Sequence, residues 1–124
     1  MHMDNKVTFE ELKQRVRKFV AERDWEQFHH PKEIAISLSL EAAELLEHFQ
    51  WKDNGTITEI KQNKKLMKEL SDELADVLVY SIDFANILGI DLTSAIEEKM
   101  KKNEEKYPID KVKGKSHKYT HYKP

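Results

Sequence analysis

An all-α four-helix bundle is the fold this sequence predicts, on three observations. Apolar residues recur at helical spacing in four stretches. Short breaks rich in Pro, Gly or Asn separate those stretches. Only 3 of 124 residues are Gly and 3 are Pro, while 39% are apolar and 35% charged, the balance of helices with a densely charged surface rather than of a turn-rich β-sandwich. The length suits one domain, large enough for a core yet small enough for oligomerisation to help it.

The first helix opens at Thr8, because Thr8-x-x-Glu11 has the form of a capping box. Phe9, Leu12, Val16, Phe19 and Val20 then keep helical spacing to about Glu22. Asp24 to Pro31 is a connector rich in aromatic and imidazole groups. The second helix is expected from Pro31 or Lys32 to Gln50 or Trp51. Between Ile34 and Leu46 its only charged residues are Glu41 and Glu44, which predicts burial on most sides. Lys52 to Thr56 breaks the chain. The third helix is expected from about Thr58 to Leu88, stopped by Gly89. The fourth runs from Asp91 or Thr93 to Tyr107, because Pro108 disfavours helix at the residue before it. Residues 1–110 therefore read as one domain and 111–124 as a basic tail with Tyr119 and Tyr122 but no periodicity.

Charge and composition exclude several functions. A formal net charge of −2, from 21 basic and 23 acidic residues, gives no electrostatic reason to bind nucleic acid. With no cysteine, a disulfide scaffold and a thiolate zinc site are both ruled out, and a reducing cytoplasm is compatible. No apolar run approaches the ~20 residues that span a bilayer, and no signal-peptide core follows Met1. The expectation is a cytoplasmic protein with no membrane partner.

The informative residues are two acidic pairs, Glu41-x-x-Glu44 and Glu73-x-x-Asp76, in the two most apolar helical stretches. A three-residue step puts both members of a pair on one helix face. Ile34, Leu38 and Leu45 share that face with Glu41; Leu66, Leu70, Val77 and Phe84 share it with Glu73. At roughly 6 Å and an effective dielectric of about 20, each pair repels by on the order of 3 kcal/mol before desolvation. Most Glu-x-x-Glu spacings lie harmlessly on a solvated surface, but two in the apolar parts of separate helices call for a cation between them. All four are hard oxygen ligands, suited to Mg²⁺ or Mn²⁺ rather than zinc. Glu69, Asp72 and Asp83 extend the acidic stripe of the third helix, or form its solvated edge. A di-iron site is disfavoured, since such bundles use Glu-x-x-His on two helices. Here Leu45 lies three residues before His48, and the third helix has no histidine.

Trp25, Phe28 and Trp51 flank the helix bearing the first pair. They read as lids or subunit contacts, or as a base-stacking pocket with His29 and His30 near its polar edge. His117 and His121 in the tail read as solvated. Lys99, Asn103 and Tyr107 recur at four-residue steps on one face of the last helix. They read as a charged helix end or as a grip for phosphates and a sugar.

Four blocks together resemble the MazG-like all-α nucleoside triphosphate pyrophosphohydrolases, in the dCTP pyrophosphatase-like branch. They are Arg23-Asp-Trp-Glu-Gln-Phe-His29, Glu41-Ala-Ala-Glu44 through Trp51, Glu73-Leu-Ala-Asp76 through Tyr80, and Lys99 through Tyr107-Pro108. The resemblance spans about Val7 to Pro108, and the 28 residues between Glu44 and Glu73 fit its spacing. It implies a four-helix bundle of the all-α NTP pyrophosphatase type. It implies Mg²⁺-dependent hydrolysis of a nucleoside triphosphate between the α and β phosphates, with Glu41, Glu44, Glu73 and Asp76 as metal ligands and catalytic groups. Trp25 and Trp51 would pack on the base, with Phe28 and His29 shaping its pocket. Tyr80, Lys99, Asn103 and Tyr107 would address sugar and phosphates. A homodimer or homotetramer is also implied. One departure is Val16, nine residues before Trp25, where some members carry a histidine; dCTP preference is therefore open. The rival readings are a non-catalytic partner-binding bundle, and a sister enzyme acting on dUTP or phosphoribosyl-ATP.

Overall fold

The computed structural model describes residues 2–53 and 55–115. Six helices appear in chain order: α1 Phe9–Glu22, α2 Pro31–Glu47, α3 Ile57–Gln62, α4 Lys64–Leu88, α5 Leu92–Lys106 and α6 Ile109–Val112. The all-α class is as expected, and no strand occurs among the described residues. Two compact units divide the chain, Met1–Ile90 and Asp91–Pro124.

Local chemistry explains where the helices begin and end. Thr8 caps α1 by accepting from the Glu11 N–H at 3.2 Å. Pro31 opens α2, where its missing N–H costs nothing. The second helix stops at Glu47, short of the expected Gln50 or Trp51, and Trp51 itself adopts φ 64°. The expected third helix is two helices. Asn63 ends α3 in extended geometry and caps α4, its side chain accepting from the Leu66 N–H at 3.1 Å. An asparagine there offers the backbone a local bond that competes with the helical one. Gly89, at φ 67°, ends α4 in the left-handed region that a side chain disfavours. Asp91 caps α5 by accepting from the Ser94 N–H at 3.0 Å.

In the first unit α4 is the central element and packs on α1, α2 and α3. Val20, Ile34, Ile82 and Ala85 form its fully buried apolar centre. A polar clamp ties α1 to the end of α4. Lys13 Nζ donates to the Ile90 carbonyl at 2.7 Å, Asn86 Nδ2 donates to the Lys13 carbonyl at 3.1 Å, and Arg17 Nη2 donates to Asn86 Oδ1 at 3.0 Å.

The expectation that α2 is buried on most sides does not hold in the single chain. Ile34 is buried, yet Ile36, Leu40 and Leu46 are exposed, as are Leu74 and Leu78 on α4. The cause is geometric: one chain covers only the stripe of α2 that meets α4.

The second unit contains α5 and α6. The expected tail begins with the last turn of α6, and His117, Tyr119, His121 and Tyr122 lie outside the described residues.

Candidate active site

Two helix faces build the site. On α2, Glu41 shares its stripe with buried Ile34 and half-buried Leu38 and Leu45. On α4, Glu73 shares its stripe with half-buried Leu66, Leu70, Val77 and Phe84. Packing α2 on α4 thus forces the carboxylates together as a by-product of burying the apolar neighbours. Oxygens of Glu41, Glu73 and Asp76 lie within 4.8 Å of one another.

Electrostatics records the strain. Burial, then a carboxyl–carboxyl hydrogen bond with Glu44, then the charges of Glu44, Asp76 and Glu73 push the Glu41 pKa from 4.5 up to about 6. Glu73 is also raised, chiefly by a hydrogen bond with Glu44, with His48 pulling the other way. Glu44 thus raises the carboxyls of both Glu41 on α2 and Glu73 on α4. Glu41 Oε2 is buried and has no hydrogen-bond partner. An orphaned anionic oxygen, facing two further carboxylates with no lysine or arginine in the cluster, suits a small divalent cation held by oxygen ligands. His48 flanks the cluster, its Nδ1 3.5 Å from Glu69 Oε2 and its Nε2 3.7 Å from Glu73 Oε1.

Beside the carboxylates opens a cavity of ≈ 350 Å³, lined among others by Glu41, Asp76, Trp25, His29, Tyr80 and Asp83. Trp25 is held by an edge-to-face contact with Phe19, ring centroids 5.7 Å apart, and by His29 at 5.9 Å. Val16 also lines this cavity.

The structure thus gathers Glu41, Asp76, Trp25, His29 and Tyr80 at one cavity, with Glu73 and Glu44 adjoining. It does not bring in Trp51, which is 93% exposed, or Phe28, which is 61% exposed. Lys99, Asn103 and Tyr107 share α5, where Asn103 is half-buried and Tyr107 ends the helix. Of the two readings open for Asp83, a continuation of the acidic stripe or a solvated edge, the second fails: it is 5% exposed, with Oδ2 2.6 Å from His29 Nδ1. The available signal was its seven-residue step from Asp76, two turns along the same face, between apolar Ile82 and Phe84.

Fold and site together define an all-α protein with an oxygen-only carboxylate cluster beside an aromatic-lined cavity. The chain belongs to the MazG-like family, whose model matches residues 36–121. Over 113 residues the chain is 38% identical to dCTP pyrophosphatase 1 of Rattus norvegicus and, equally, of Homo sapiens, covering 91% of this chain. It spans about two thirds of those relatives' own length, 66%. A crystal structure of a pyrophosphatase from Archaeoglobus fulgidus DSM 4304 superposes with TM-score 0.71 at 40% identity, covering 80% of this chain and 91% of that one. The curated relatives are named for dCTP pyrophosphatase and the solved structure for pyrophosphatase, in line with the nucleoside triphosphate pyrophosphohydrolase class expected from the sequence.

Proposed function

We propose that the chain is a Mg²⁺-dependent nucleoside triphosphate pyrophosphohydrolase, with Mn²⁺ as a substitute, acting on surplus or non-standard nucleotides with dCTP-like substrates favoured. The carrying observation is the buried, partnerless Oε2 of Glu41 facing Glu73 and Asp76. Glu41, Glu44, Glu73 and Asp76 would hold the cation, which neutralises phosphate charge and favours ionised water. Water adds to phosphorus beside the α–β bridge, the bridging P–O bond breaks, and monophosphate and pyrophosphate separate. The carboxylates accept the proton that the attacking water releases. Trp25 offers the base a π-face, His29 a ring nitrogen and Tyr80 a hydroxyl, all at one cavity. Phe28, Trp51, Lys99, Asn103 and Tyr107 are assigned to substrate more distantly, as residues that a second copy or the bound nucleotide brings into use.

Exposed apolar side chains support that assignment. Ile36, Leu40 and Leu46 leave an apolar face on α2 that a homodimer or homotetramer would cover. The absence of cysteine fits work in the cytoplasm, and no single helix among the described residues is long and apolar enough to cross a membrane.

The test is pyrophosphate release from a panel containing dCTP, dUTP and phosphoribosyl-ATP, with wild type and Glu41→Gln. Wild type should release pyrophosphate from dCTP only with Mg²⁺ present, and Glu41→Gln should lose at least about 10²-fold, the scale of removing one preorganised charge contact. Full activity in the variant would remove Glu41 from the machinery.

A further inference from the structure

Asp83 is the most buried charged side chain among the described residues, at 5% exposure. A carboxylate so placed is costly unless it is bonded. Its Oδ2 lies 2.6 Å from Nδ1 of His29, 54 positions away in the α1–α2 connector. The bond crosses the cavity wall that also carries Trp25, Tyr80, Glu41 and Asp76. His29 is fixed independently at its backbone, whose N–H donates to the Trp25 carbonyl at 3.1 Å, and its ring lies 5.9 Å from that of Trp25. Packing alone would leave either ring nitrogen free to carry the proton. An ionised carboxylate accepts and never donates, so Nδ1 is the donor, and in the neutral ring Nε2 keeps its lone pair.

We propose that Asp83 is a positioning residue for base recognition: it keeps the proton on Nδ1 of His29 and leaves Nε2 as an acceptor that favours bases bearing an exocyclic amino group. This rests on the nucleotide reading above and adds to it the residue that sets the base preference. Cytosine and adenine carry an amino donor where uracil and thymine carry a carbonyl acceptor. Two acceptors facing each other in a cavity leave both unpaired, which is the source of the discrimination.

The experiment measures kcat and KM for dCTP and dUTP in wild type, Asp83→Ala, Asp83→Asn, His29→Ala and the Asp83→Ala/His29→Ala pair. Asp83→Ala should raise KM for dCTP about tenfold, the value of one hydrogen bond, with kcat and dUTP turnover little changed. Asp83→Asn, whose amide oxygen still accepts from Nδ1, should recover part of the loss. In the His29→Ala background, removing Asp83 should add nothing. Equal losses on both nucleotides, or losses that add in the double variant, would show that Asp83 only supports the fold and would overturn the proposal. A ¹⁵N–¹H spectrum of the nucleotide-free protein at alkaline pH should show His29 protonated at Nδ1. Protonation at Nε2 would overturn this proposal alone, whereas a wild type cleaving neither nucleotide would overturn the pyrophosphohydrolase reading and the base selectivity with it.

Discussion

Glu41 carries the largest electrostatic conflict at the scale of single residues, and its consequence is measurable without substrate. Its pKa of about 6 in the folded chain lies above the ordinary 4.5. Between those values the folded chain holds a proton that the unfolded chain has released. Stability of the metal-free protein should therefore fall as pH rises from about 4.5 to 6 and stay low above that. Glu41→Gln removes the titrating group while keeping its shape. Its metal-free melting temperature at pH 7.5 should equal or exceed wild type, and the drop between pH 4.5 and 6 should shrink. A melting curve against pH checks both. A variant that melts lower at pH 7.5 with the slope intact would show that burial of Glu41 is not the source. Asp83 is also a buried carboxylate, but its Oδ2 has a partner, His29 Nδ1 at 2.6 Å, where Glu41 Oε2 has none.

Among the elements, caps and clamps decide which faces meet. Asn63 serves two helices at once, so Asn63→Ala should cost about 1 kcal/mol, the usual value of a cap. Lys13→Met keeps the aliphatic stem of a buried side chain but strips the Ile90 carbonyl of its charged donor. It should cost about 1.5–3 kcal/mol in chemical denaturation. A loss below about 0.5 kcal/mol would mean that water replaces the ammonium.

The same elements show what could be read in the chain beforehand. Helix starts at Thr8, Pro31 and Asp91 were legible because capping acts within four residues. The two acidic pairs were legible because a three-residue step fixes a common face whatever the tertiary fold. The break at Asn63 was not, since an asparagine inside a polar helical pattern is tolerated as often as it caps. The burial of Asp83 was legible only in part: its step from Asp76 sets the face, but its cover depends on a connector 54 residues away folding back onto α4. Burial of α2 was overestimated because an apolar helix reads alike whether its cover is the same chain or another.

That ambiguity belongs to the whole molecule. Ile36, Leu40 and Leu46 on α2, with Leu74 and Leu78 on α4, are large apolar side chains left exposed in the single chain. Leu40→Lys should shift sedimentation toward the monomer, and activity should fall with it if a second copy completes the substrate grip. A wild type that sediments as a monomer at all concentrations would contradict this. The central claim is that four carboxylates from two packed helices hold a divalent cation, and direct titration of Mn²⁺ tests it best, by paramagnetic resonance or calorimetry on the nucleotide-free protein. Wild type should bind saturably, with Glu41→Gln and Asp76→Asn each at least about tenfold weaker and a distant control such as Glu22→Gln unchanged. Binding that is equally tight in all four proteins, or absent from wild type even with nucleotide added, would contradict the account.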